Sequence, residues 1–326
     1  MSLETDNTPH IPVMLNEVLT YLADDSMQNK LVVDCTFGAG GYSKAFLERG
    51  ANVIALDRDK TALQKGKALQ TQFGNKLTLI NTSFGRLNEL EIEAPDVIVL
   101  DIGVSSMQID QADRGFSFQK DGPLDMRMGG TTKTAADVVN TYTIEALTQI
   151  FKYYGEESHA KKIAIMIDKC RQQKPFSHTL ELSNAIEAIL PKRHFQKIHP
   201  ATRVFQALRI YINDELAELN NVLRAAENIL PKGGKIGVVT FHSLEDKIVK
   251  KFLVHRSQAK AVSRYMPQIQ NYCPSFLLPH KKAIMPSEAE CLENKRARSA
   301  KFRYAIRNDA APIAVQENLY KTLQFN

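Results

Sequence analysis

The stretch KLVVDCTFGAGGYSKAFLERGANVIALDRD, Lys30 to Asp59, decides how the chain is read. A short apolar run, Leu31 to Val33, ends in an acid, Asp34. A glycine-rich turn, Gly38-Ala39-Gly40-Gly41, then opens a helical stretch that Gly50 stops. A second apolar run, Asn52 to Leu56, ends in another acid, Asp57. Apolar runs of strand length around a glycine turn and a helix make a βαβ unit of the nucleotide-binding kind.

Two further apolar runs, Leu77–Ile80 and Val97–Leu100, continue the alternation of strand and helix, which predicts a parallel sheet. The alternation stops there. From about Gln111 to Pro200 the patterns are helical: Thr143–Tyr154, Glu157–Gln172 and Leu180–Leu190. A single long helix is expected from Arg203 to Leu230, its apolar positions stepping by three and four. Pro231 and Gly233-Gly234 end it, and a fifth strand, Lys235–Phe241, resumes the α/β pattern. Ser243 reads as the cap of the next helix and Ser287 as the cap of a later one. Phe276–Leu278 suggests a sixth strand. Phe302, Tyr304 and Ile306 alternate with Lys301, Arg303 and Arg307, which predicts a half-exposed final strand. The expected organisation is an α/β domain in two parts, 1–110 and 201–326, around a helical insert, 111–200.

The 326 residues suffice for about two domains on a prior of ~150 residues each. The longest apolar runs fall far short of the ~20 residues a membrane span needs. MSLETDNTPH at the N-terminus lacks the basic start and apolar core of a signal peptide. Four cysteines without a C-x-x-C pair fit reduced thiols, so a cytoplasmic protein is expected. Cys273, His280 and Cys291 match no zinc-ligand spacing, and no metal is expected. The net charge of +6 gathers in two clusters, Lys192 to Arg203 and Lys295 to Arg307. Basic clusters with aromatics between them point to nucleic acid.

In open parallel sheets, ligands bind beyond the carboxyl ends of the strands, where strand order reverses. Those ends carry Asp34 with the glycine turn, Asp57, Ser83-Phe84 and Asp101. An acid after the second strand suits ribose hydroxyls, and a phenylalanine after the third offers a face to adenine. A dinucleotide site would have G-x-G-x-x-G, but the third glycine position holds Ser43. S-adenosylmethionine has no phosphate to cradle and fits better. DIGVSSMQID, 101–110, then stands where the sulfonium and the acceptor meet, without the D/N-P-P-Y/F of many amino-methyltransferases.

Beyond these patterns the chain resembles the MraW (RsmH) family of bacterial methyltransferases acting on cytosine N4 in 16S ribosomal RNA. HIPVMLNEVL, DCTFGAGGYS, GFSFQKDGPLDMRM, RVFQALRIYINDEL, FHSLED and RARSAKFR carry the resemblance. It implies a class I methyltransferase fold, mostly parallel and Rossmann-like, with an inserted all-helical domain for RNA recognition. It implies S-adenosylmethionine as cofactor, held by Gly40, Gly41, Tyr42, Asp57, Phe84, Asp101 and Gln108. The family most often has His at Tyr42 and Pro at Met107. Asp101, Ser105 and Ser106 are expected near the reacting amine, with His242 a weaker candidate. Arg114, Phe116, Phe118, Lys120 and Arg127 are placed over the RNA, and Arg296 and Arg298 on its phosphates. The partner is then 16S RNA within the small ribosomal subunit, with no membrane. The rivals are a DNA amino-methyltransferase and a non-catalytic RNA-binding assembly factor.

Overall fold

The computed structural model describes residues 12–103, 106–129, 131–190, 199–258, 273–313, 319, 320, 322, 323 and 325, with backbone only at 106 and 107. Two compact units emerge: Met1–Gly103 with Glu218–Leu319, and Val104–Ala217 with Tyr320–Asn326. The helical unit is therefore wider than the 111–200 read from the sequence, and it includes the C-terminal residues.

The first unit begins with α1 (Leu15–Leu22), followed by β1 (Leu31–Asp34), α2 (Gly41–Glu48), β2 (Asn52–Asp57) and α3 (Lys60–Phe73). Next come β3 (Leu77–Asn81) and β4 (Val97–Asp101). The second unit holds α4 (Ser106–Asp110), α5 (Ala135–Thr141), α6 (Ile144–Tyr154), α7 (Ala160–Gln173), α8 (Thr179–Ile189) and α9 (Thr202–Asn213). α10 (Glu215–Ile229) leads back to the first unit, which ends with β5 (Lys235–Thr240), α11 (Ser243–Ser257), β6 (Phe276–Leu277), α12 (Glu288–Glu293) and β7 (Lys301–Arg307).

The sheet runs β3-β2-β1-β4-β5-β7-β6. β1 to β5 pair in parallel, and β7 enters antiparallel between β5 and β6. Strand order reverses between β1 and β4. Both are almost wholly buried, through Val32, Val33, Ile98, Val99 and Leu100, as expected of strands covered on both faces. The reversal falls at Asp34 and Asp101, which end these two strands, a preferred ligand position in such sheets.

Three expectations change. The long helix of 203–230 is two helices, because Asp214 takes a left-handed conformation (φ 49°, ψ 34°) and breaks it. Apolar periodicity continues through the break, so it left no sign of this. The cap of α11 is His242 rather than Ser243: Glu245, at the third helical position, accepts the backbone N–H groups of Phe241 and His242 at 2.8 and 3.2 Å. The last strand is not half-exposed. Arg303 and Arg307 are 8% and 7% exposed, because β7 lies inside the sheet and their guanidinium groups find internal partners. Arg303 Nε donates to Asp246 at 2.7 Å, and Arg307 donates to the backbone oxygens of Glu227, Ser275 and Asn308.

Candidate active site

Gly38 and Gly40 both have positive φ, 53° and 79°, which glycine adopts without steric cost. Packing makes a second demand at Gly40. A Cβ there would come within 2.8 Å of the Phe37 ring, and one at Gly66 of α3 within 2.6 Å of the same ring. Phe37, 3% exposed, wedges the turn against α3. Gly41 has a different reason. A Cβ would stand 2.1 Å from Pro12, so the segment before α1 lies directly on the first turn of α2. The hydroxyl of Tyr42, 4% exposed, donates to the carbonyl of Val13 and fastens that cover. Tyr42 is expected at the cofactor, but its hydroxyl is engaged inside the protein. HIPVMLNEVL carried the resemblance without an assigned role; in the structure Pro12 and Val13 close over the end of the glycine turn.

The acids divide into two kinds. Asp34 is sealed in at 1% exposed, where its carboxylate accepts Thr36 N–H at 3.1 Å and Ser43 Oγ–H at 2.7 Å. Burial raises its pKa to about 6 against the pull of those bonds. It ties the turn to α2. Asp57 accepts Gly38 N–H on one oxygen at 2.9 Å and Asp59 N–H on the other at 2.8 Å. Each oxygen keeps a second lone pair, so the acid is held in position and can still accept from two vicinal hydroxyls. Burial also raises its pKa. Phe84 follows β3 after Ser83 and is half-buried.

Asp101 differs from both. Its backbone N–H donates to Thr36 Oγ1 at 2.6 Å, but its buried Oδ1 has no hydrogen-bond partner. Burial, then the charges of Asp34 and Glu245, push its carboxyl up to about 8, against a lowering influence from Arg296. A buried acceptor left open costs free energy unless something fills it. Both an N–H donor and a cation suit this position.

The remaining site candidates separate. His242 sits at the start of α11, Nε2 3.0 Å from Glu245 Oε1. Ser105 and the side chains of Ser106 and Met107 lie outside the described residues, as do Lys192, Arg193, His194 and Lys197. Gln108, 7% exposed, belongs to the helical unit. In that unit Phe116 is 8% exposed, with the Arg114 guanidinium 5.8 Å from its ring centre, so its face is not open. Phe118 is half-buried and stacks on His199, centroids 4.8 Å apart. Arg127 makes a bidentate pair with Asp125 at 2.8 and 2.7 Å, while Lys120 is exposed near Asp110. In the C-terminal basic run, Arg296 exerts its charge on Asp101, and Arg298 is exposed beside Cys291. Arg303 and Arg307, buried in ion pairs and hydrogen bonds, do not present their charge to a phosphate.

A glycine turn, an acid after β2 and an open buried carboxylate after β4, on a sheet with antiparallel β7, define a class I S-adenosylmethionine-dependent methyltransferase. Residues 7–308 match the MraW methylase family, and the chain belongs to it. It is 50% identical to "Ribosomal RNA small subunit methyltransferase H" of Brucella ovis and to that of Brucella anthropi, each over 95% of this chain and 91% of the relative. Among solved structures it resembles an rRNA methylase from Streptococcus thermophilus at 11% identity and a TM-score of 0.41, covering 92% of this chain and 99% of that one.

Proposed function

We propose that this protein methylates the N4 amino group of a cytosine in 16S ribosomal RNA, with S-adenosylmethionine as donor and the small ribosomal subunit as its setting. The observation that carries the reading is Asp101: a buried carboxylate oxygen without a partner at the point where strand order reverses. S-adenosylmethionine supplies a methyl group already activated by the sulfonium charge. The positive-φ glycines Gly38 and Gly40 turn the backbone after β1, Asp57 would receive its ribose hydroxyls, and Phe84 would offer a face to adenine.

The protein's part is to orient and to exclude water. Oδ1 of Asp101 accepts one N–H of the cytosine amine and turns its nitrogen lone pair out of conjugation with the ring. This favours the transition state over the ground state. Fixing the amine in line contributes the larger share, up to about 7–11 kcal/mol where the geometry is ideal. A carboxyl that titrates near neutrality can then take the proton the methylated amine must lose. Labelled S-adenosylmethionine offered with small ribosomal subunits, naked 16S RNA and DNA tests the proposal. Label is expected in N4-methylcytidine of the RNA; label in DNA, or in no nucleic acid, would overturn it.

A further inference from the structure

The helical unit contains a second site that the methyl-transfer chemistry does not use. Tyr142 follows α5, Tyr154 ends α6 and Tyr211 lies on α9. Tyr142 and Tyr211 meet edge to face with centroids 5.8 Å apart and hydroxyls 2.9 Å apart. Tyr154 stacks on Tyr211 at 6.2 Å. The exposed Lys133 donates to the Tyr142 hydroxyl, with its ammonium 5.0 Å from the ring centre. The result is an aromatic corner carrying hydroxyls and one cation.

The C-terminal residues of the chain fill this corner. Phe325 lies 5.9 Å from both Tyr142 and Tyr211, one edge to face and the other tilted. Leu323, 8% exposed, donates its backbone N–H to the Tyr154 hydroxyl at 3.2 Å. A hydrophobic core has no use for three hydroxyls and an ammonium at one place. A flat ring with polar edges does: nucleobases bind proteins by stacking on aromatic faces while their edges meet hydroxyl and ammonium donors. Burial and the Tyr142 hydrogen bond raise the pKa of Tyr211, so its hydroxyl keeps its proton as a donor.

We propose that the corner formed by Tyr142, Tyr154, Tyr211 and Lys133 is a stacking site for a nucleobase of single-stranded RNA, and that Phe325 occupies it until RNA displaces the tail. This rests on the RNA reading above but not on cytosine N4 being the acceptor. The tail is a suitable stand-in because the Phe325 ring meets Tyr142 and Tyr211 much as a base would, and a base can exchange with such a ring contact.

The test is fluorescence anisotropy with a labelled oligoadenosine, which stacks well and contains no cytosine. Phe325→Ala should bind it about fivefold more tightly than wild type, the low end of what one stacked base contributes. A stop codon after Leu319 should do the same. Adding Tyr142→Leu to Phe325→Ala should remove the gain. Thermal unfolding of each variant reports whether it is folded, and Phe325→Ala keeps the test available if the truncation is not. Unchanged or weaker binding by folded Phe325→Ala would overturn the proposal, leaving the tail a structural strap. So would a variant that captures a synthetic tail peptide but not the oligonucleotide. Methyl transfer to 16S RNA, measured separately, shows whether the proposed reaction itself fails.

Discussion

At Asp101 stability and function pull in opposite directions. Its carboxyl titrates near 4 in an unfolded chain and about 8 in the folded one, chiefly because it is buried. Between those values the native state holds a proton that the unfolded state has lost, so this group's stabilising contribution falls as pH rises from about 4 to 8 and is level above. Asp101→Asn keeps the shape without the charge. Its melting temperature should match wild type near pH 4 and exceed it by a margin that widens up to about pH 8, while kcat falls. A margin that does not change with pH would mean that the carboxyl titrates normally. The same ionisation links to the cofactor. A sulfonium cation favours the carboxylate, so S-adenosylmethionine affinity should rise with pH toward 8, by as much as tenfold per unit, with proton release on binding. S-adenosylhomocysteine, neutral at sulfur, should show a shallower dependence; calorimetry in two buffers compares them. At Asp57, removing charge-assisted hydrogen bonds worth about 1.5–3 kcal/mol each should weaken cofactor binding at least tenfold in Asp57→Ala. Unchanged affinity would take Asp57 out of the site.

At the scale of elements, the glycine turn is held by what lies on it. Gly41 has no positive φ, so what bars a Cβ there is the close approach of Pro12, 2.1 Å away. Gly41→Ala should therefore lift the segment of Pro12 and Val13 from the turn. The expected result is weaker cofactor binding and faster amide exchange around Val13, with the sheet intact; an unaltered exchange pattern would show that the cover is not seated there. The final strand makes a contrasting pair. Arg303→Gln removes the buried partner of Asp246 and leaves it only the more exposed Lys301, so the cost should approach the low end of the ~3–5 kcal/mol that breaking a buried pair takes. Arg298→Gln, on an exposed residue, should leave the melting temperature within experimental spread. Equal melting for both would place Arg303 at the surface.

For the whole molecule, the net charge of +6 is distributed unequally between surface and interior. Of the basic run 295–307, Lys295 and Arg298 are exposed, whereas Arg303 and Arg307 are buried. RNA affinity should fall with salt, and each lost phosphate contact flattens the log–log slope by about 0.7 on single strands or 0.9 on duplex. Lys295→Gln with Arg298→Gln should flatten it by about one to two, while cofactor affinity holds. Arg296→Gln should act on the cofactor instead, since its charge lowers the Asp101 pKa. An Arg296 variant with wild-type cofactor affinity and pH dependence would return that residue to the RNA surface.

The sequence by itself determined the βαβ order, the starts of strands β1 to β5 (their ends to within one residue) and the positions of Asp34, Asp57 and Asp101, because strand runs, glycine turns and caps are local signals that burial reinforces. It also identified the family through GFSFQKDGPLDMRM and FHSLED. Only the tertiary structure decided the rest. The bend at Asp214 interrupts an apolar pattern that reads as continuous. Arg303 and Arg307 become interior because β7 is flanked on both sides, a pairing between segments far apart in the chain. Pro12 closes on Gly41, and Phe325 settles among Tyr142 and Tyr211, for the same reason: each contact joins residues whose separation along the chain leaves no local trace.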